Sequence, residues 1–339
     1  MTITTEAAPP PPGAPETDRP RSISQRGGSS DLVFANVVRV VGWVVTAVTG
    51  AIGVFLALKL FPTIKLYGFK FFTGTTYNPQ GSKDVGILGA LTGTAQVALI
   101  AVCVGFPLAL MTALYISEYA PNWLKPTLVS IVDLMAAVPS IIFGLWGALA
   151  LSPELKYVAR WLSQHFGWIP LFHVPTDPNA AQWAQSVYTG NAFTAGVTVG
   201  MMIVPMACSV MRSVFVLAPI GEREAALALG STRWGMIRTV VLPFGRGGII
   251  GGTMLGLGRA LGETIAVLLI ISQLNGTKWS ILSSGTKTVS WLIANNFGES
   301  TGTQKDALLA LGFVLFVLTL FVNTVAAIFV SRSRSGAGT

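Results

Sequence analysis

An all-α, polytopic membrane fold with six transmembrane helices is the fold class this sequence predicts, and three observations lead to it. Hydrophobic residues make up 52% of the chain and charged residues 11%, against about a quarter charged in a soluble protein. Six apolar stretches each reach the roughly 20 residues that cross a bilayer. Between the fourth and fifth lies a polar interlude carrying Glu222, Arg223, Glu224, Arg233, Arg238 and Arg246. Charges at that density cannot lie in lipid, so the interlude sits at a membrane surface.

Residues 1–31 come first. They are rich in Pro, Ser, Gly and Thr, with Pro9 to Pro12 in a row, and bury too little apolar surface to fold. They read as a disordered tail. No apolar core precedes a small-residue cleavage site, so the tail is not a cleavable signal. Arg19, Arg21, Arg26 and Arg39 lie before or at the start of the first span, which puts the tail in the cytoplasm by the positive-inside rule.

A membrane domain over residues 32–331 follows. Its spans fall near Leu32–Phe61, Gly86–Tyr115, Leu128–Leu151, Ala192–Leu217, Gly248–Gln273 and Ala307–Val330. An even number of crossings returns the C-terminus to the cytoplasm, where Arg332 and Arg334 follow the last span. The interlude at 218–247 falls on the same side. The outer segments carry mostly Lys, including Lys65, Lys70, Lys278 and Lys287, so the charge asymmetry is Arg inside and Lys outside.

Pro107, Pro139 and Pro205 each remove a backbone hydrogen bond within a span and favour a kink. Gly252, Gly256, Gly258 and Gly262 form two Gly-x-x-x-Gly pairs, the pattern of a helix closely packed on another. The outer loop at 152–191 carries Trp161, Trp168 and Trp183 as interface anchors. Residues 279–297 are Ser/Thr-rich and only moderately apolar. They suit a segment that dips into the outer half of the membrane, provided protein or water satisfies its backbone.

Composition also excludes functions. The net charge of +8 fits Lys/Arg-rich flanks of spans, and no basic run of the kind nucleic acid requires is present. Cys103 and Cys208 lie in apolar stretches and read as small packing residues. His165 and His173 have no matching cluster of metal ligands. No Gly-x-x-x-x-Gly-Lys-Ser/Thr phosphate cradle occurs, and Gly285-Thr286-Lys287-Thr288 has the wrong order for one. No nucleophile–base constellation appears, so no catalysis is expected within this chain.

The interlude reads as two short helices. Glu222 to Leu229 are strong helix formers, and Gly230 is the natural residue just past a helix end. Ser231 or Thr232 can cap a second helix, expected to end at Leu242-Pro243. Glu224-Ala225-Ala226, Gly230, Val240, Leu242 and Pro243 at this spacing resemble the coupling motif of bacterial ABC-importer permeases. The one departure is Val240, where the family commonly has Ile. The resemblance implies that the hairpin docks into a groove of a separate ATPase, which would bind the ATP and Mg. No cofactor is expected in this chain.

In the fifth span, Arg259 and Glu263 are four apart and so expected on one helix face. Either charge alone in hydrocarbon costs about 2.5–3.5 kcal/mol on the insertion scale. Two readings stand: a structural ion pair, or an Arg259 fork offered to an anion while Glu263 orients or restrains it. Asp133 is either a second polar element of the pathway or a residue near the inner interface. Ser140 could donate to a passing anion, with a hydroxyl bonded back to its own helix as the competing role.

Gly256-Leu257-Gly258-Arg259-Ala260-Leu261-Gly262-Glu263-Thr264-Ile265-Ala266-Val267 is similar to the fifth-span signature of phosphate-importer permeases of the PstC type. Ala137-Val138-Pro139-Ser140-Ile141-Ile142-Phe143-Gly144-Leu145-Trp146-Gly147 resembles that family's third-span signature. The likeness runs from the second span onward and is weakest in the tail and outer loops. It implies a subunit of a bacterial plasma-membrane phosphate importer. Its partners would be a homologous permease of the PstA type, two copies of a PstB-type ATPase and an extracytoplasmic PstS-type phosphate-binding protein. Alternatives are a permease for another oxyanion such as sulfate or molybdate, or an ATP-independent secondary transporter.

Overall fold

The computed structural model describes residues 29–78, 84–174, 187–271 and 279–334. The chain divides into two compact units, Met1–Ile52 and Gly53–Thr339. In the first, the described residues are the opening part of helix α1 (Ser29–Tyr67), and every side chain from Asp31 to Ile52 is exposed. Of the disordered tail expected over residues 1–31, residues 1–28 lie outside the described residues and 29–31 are the first residues of α1.

The second unit is nearly all helical. After the end of α1 come a single turn α2 (Lys70–Thr73) and a two-residue hairpin, β1 (Tyr77–Asn78) against β2 (Asp84–Val85). Then follow α3 (Leu88–Leu114), α4 (Lys125–Ala137), α5 (Ser140–Trp146), α6 (Ser152–Phe166) and α7 (Ala192–Val216). The chain continues through α8 (Ile220–Ala228), α9 (Arg233–Met236), α10 (Leu242–Gly262), α11 (Ile265–Ile270), α12 (Val289–Asn296) and α13 (Thr303–Arg334). π-helical turns at 115–119, 147–151 and 237–241 extend α3 and join α5 to α6 and α9 to α10. Among the described residues, six helices are long and apolar enough to cross a membrane: Asp31–Tyr67, Leu88–Tyr119, Ser140–Phe166, Ala192–Val216, Arg233–Gly262 and Thr303–Ile328.

Small residues decide which faces meet. α3 buries Ala90, Gly93, Val97, Ala98, Ala101, Gly105 and Ala109, at helical spacing, while Leu99 and Met111 stay exposed. Close backbone approach, rather than a greasy core, brings helices together in lipid. A Cβ built on Gly196 would fall 2.6 Å from Ile100, and one on Gly105 2.8 Å from the Gly200 carbonyl, so α7 runs parallel to α3. Gly252 lies against the Ala207 carbonyl and Gly256 against Ile203, so α10 returns antiparallel to α7. Of the four glycines expected to pack the fifth span, Gly252 and Gly256 face α7, Gly258 faces Asn323 of α13, and Gly262 meets nothing within 4 Å.

The third span departs from expectation. Instead of one helix over 128–151, the chain forms α4, stops at Val138-Pro139 and restarts at Ser140, running on to Phe166. Val138 adopts ψ 129°, the extended conformation that a following proline imposes. α3 and α7 by contrast run through Pro107 and Pro205 unbroken. Trp161 and Trp168 are exposed on and beyond α6, and Trp183 lies outside the described residues.

The segment 279–297 folds in among α3, α7 and α11. α12 spans eight residues, about 12 Å, too short to cross a bilayer. Its surroundings satisfy the backbone. Val289 N donates to Thr94 Oγ1 at 3.0 Å, Phe193 N to the Ile281 carbonyl at 3.0 Å, and Asn191 Nδ2 to the Leu282 carbonyl at 2.8 Å.

Candidate functional site

Two places carry the site residues. The first is the hairpin. α8 ends with Gly230 N donating to the Leu227 carbonyl and Ser231 N to the Ala226 carbonyl, at 2.9 and 3.1 Å. That pair of bonds is a Schellman ending, and Gly230 has φ +85°, as such an ending requires. No atom lies within 4 Å of a Cβ built there, so backbone conformation rather than space selects glycine. Thr232 caps the next helix, its Oγ1 accepting from Gly235 N at 3.1 Å.

Glu224 and Ala225 are exposed. Ala226 is half-buried against a cluster that includes Met211, Phe215, Ile237 and Val241. Leu242 packs on the same cluster, and Pro243 is exposed. Leu229 and Trp234 lie uncovered, at 88% and 54% exposure. The second helix does not end at Leu242-Pro243 as expected: Arg233–Gly262 is continuous. Pro243 sits in the first turn of α10, directly after the π turn in which Leu242 N donates to the Ile237 carbonyl. The wider turn makes room for the ring, so the hairpin's second arm is rigidly one with the fifth span.

The second place is a pair of helix breaks. α10 stops at Gly262 and Glu263 adopts ψ 124°. Arg259 and Glu263 therefore do not share a helix face, which corrects the expectation from their spacing. Glu263 caps α11 instead, its Oε1 accepting from Ala266 N at 3.2 Å, while Ser290 Oγ donates to its carbonyl at 2.8 Å. The structural ion pair is likewise not formed. Among the described residues the ion pairs are Lys59–Asp306 and Arg223–Glu118. Arg259 is half-buried, and its buried Nε has no acceptor among the described residues.

Cβ atoms built on Gly144 and Gly147 would approach the Ala266 Cα and Ile270 Cδ1 at 2.7 and 2.8 Å. α5 and α11 therefore run parallel and in close contact. α5 starts at Ser140 and α11 at Ile265, so with Gly144 against Ala266 the two starts lie within about one helical turn of each other. The two broken spans thus restart within about one turn of the same level. Ser140 is the first residue of α5, so no helical carbonyl lies one turn behind it, and the competing back-bonded role falls away.

Asp133 is not brought to this level. It is exposed on α4, with Ser209 Oγ donating to its Oδ1 at 3.5 Å. Gly256 against Ile203 sets Arg259 about level with Gly200, nine residues up α7 from Ser209, or roughly 13 Å along the helix. Sequence reasoning missed Glu118, which ends the second span, and the role of Arg223. The available signal was a carboxylate and a guanidinium at the membrane-surface ends of apolar runs.

Residues 105–335 match the family described as binding-protein-dependent transport system inner membrane component. The chain is 40% identical over 271 residues to the phosphate transport system permease protein PstC of Xylella fastidiosa strain Temecula1, covering 79% of this chain and 81% of that protein. It is 39% identical over 280 residues to the phosphate transport system permease protein PstC 2 of Mycobacterium bovis, covering 81% and 84%. A solved structure of a bacterial ABC transporter involved in the import of the acidic polysaccharide alginate matches with a TM-score of 0.55 at 18% identity, over 89% of this chain and 95% of that one. At that identity the likeness bears on fold alone.

Proposed function

The chain belongs to the family of binding-protein-dependent transport system inner membrane components, and from that membership we propose that it is the membrane-spanning permease subunit of an ATP-driven importer of inorganic phosphate. The observation that carries this reading is about 40% identity over four-fifths of the chain to phosphate transport system permeases. The chain is a multi-pass membrane protein, with both termini and the hairpin on the cytoplasmic side. It forms half of the path with a PstA-type permease. A pair of PstB-type ATPases binds the ATP and Mg, and a PstS-type protein delivers phosphate outside. The chain itself is non-catalytic.

ATP binding closes the ATPase pair, and the hairpin, seated in it through the uncovered Leu229–Trp234 surface, is carried along. Continuity of the second arm with the fifth span supports direct transmission of that movement to Arg259. A guanidinium with no carboxylate partner among the described residues suits a transient phosphate ligand, because a competing ion pair would have to be broken at each passage. Ser140, at the break of the third span, is a second polar element of the path, and Asp133 is an outlying one towards the hairpin end. The test is labelled-phosphate uptake in vesicles holding the complex with and without the ATPase, with sulfate and molybdate as competitors. Uptake that depends on the ATPase and is displaced by phosphate alone is expected. Uptake by the chain alone would establish a secondary transporter instead.

A further inference from the structure

α8 has no buried residue of its own. It leans on the hairpin's other arm, and Ala226 is its apolar foothold on the cluster beneath. Its polar tie to the spans is Arg223. One guanidinium nitrogen donates to Glu118 Oε2 at 3.1 Å and another to the Phe215 carbonyl at 2.5 Å. Glu118 lies in the π turn that ends the second span, and Phe215 in the last turn of the fourth. Ser117 Oγ donates to the other carboxylate oxygen at 2.5 Å, and Lys125 Nζ, at the head of α4, donates to the Ser117 carbonyl at 2.9 Å. One planar fork thus joins α8 to the ends of two spans, and a third helix is tied in through Ser117.

The pair is well shielded, with side-chain exposures of 19% for Arg223 and 4% for Glu118. Stability alone does not account for it, because a buried ion pair is usually matched or bettered by well-packed apolar residues. What the fork adds is direction: two donors in fixed geometry set both the distance and the angle between the elements they join. An apolar contact would let α8 slide.

We propose that Arg223 and Glu118 form a strut that makes the hairpin's first arm move as one body with the second and fourth spans, so that both arms drive the membrane domain. They are positioning residues for transport, not ligands of phosphate or of the ATPase. This rests on the hairpin being the docking element. The test uses the full permease–ATPase complex in vesicles, with phosphate delivered per ATP hydrolysed as the readout. The double variant E118Q/R223Q removes both charges and so leaves no buried charge unpaired. It is expected to retain the ATPase on co-purification and to hydrolyse ATP, while phosphate delivered per ATP falls at least tenfold. R223K, which keeps the charge but not the planar fork, is expected to fall between. A wild-type transport ratio in the double variant would overturn the strut. Loss of ATPase retention in the double variant would overturn it too, since the pair would then be shaping the docking surface. Failure of the unaltered chain to retain the ATPase would instead sink the docking reading beneath it.

Discussion

Gly230 holds a backbone conformation that costs an L residue about 1–2 kcal/mol, in open space where a side chain meets nothing. Gly230→Val should therefore unwind the end of α8 without any clash and displace Leu229 from its place in the docking surface. The expected outcome is loss of ATPase on co-purification with the spans intact; full retention would remove the hairpin from the docking role. Arg259 presents the opposite case, a half-buried charge whose Nε has no acceptor among the described residues. Arg259→Gln should abolish phosphate uptake while the complex still assembles, and unaltered uptake would make the residue structural. Both positions were legible in the sequence, because a glycine after a helix-forming run and a charge in an apolar run are local signals. The role of Glu263 was not. Its spacing from Arg259 points to a shared face, and only the helix end at Gly262 removes it.

At the scale of elements, the two broken spans are held together by glycines on one and a short helix on the other. A Cβ on Gly144 would lie 2.7 Å from the Ala266 Cα, backbone that cannot swing aside. Gly144→Val should separate α5 from α11 and cost about 1–3 kcal/mol by overpacking, seen as a lower melting temperature of the purified complex. The segment 279–297 depends on borrowed hydrogen bonds. Thr94→Ala strands the buried Val289 N–H, a loss of about 1–3 kcal/mol, and hydrogen exchange at the head of α12 should rise while that of α7 stays unchanged. The break at Val138-Pro139 shows how far sequence reached here. Proline announces an interruption, but α3 and α7 carry prolines through intact. Which proline stops its helix depends on what its neighbours can repack.

For the whole molecule, the proposed topology puts the hairpin on the cytoplasmic side. An impermeant thiol reagent applied to intact cells should therefore miss a cysteine introduced at Thr239, an exposed hairpin position, and reach it only after permeabilisation; labelling in intact cells would invert the topology. The number of long apolar helices, the hairpin between the fourth and fifth, its glycine ending and a hydroxyl cap at Ser231 or Thr232 were determined by sequence alone. Hydropathy, helix propensity and a positive φ are properties of neighbouring residues. The coincidence of two helix breaks, the capping duty of Glu263, the Thr94 support of α12 and the Arg223–Glu118 clasp were decided only in three dimensions. Thr94 and Val289 are 195 positions apart, and Arg223 and Glu118 are 105 apart. In lipid, where any apolar face is equally content against hydrocarbon, the approach of small residues selects which distant partners meet, and no local pattern encodes that choice.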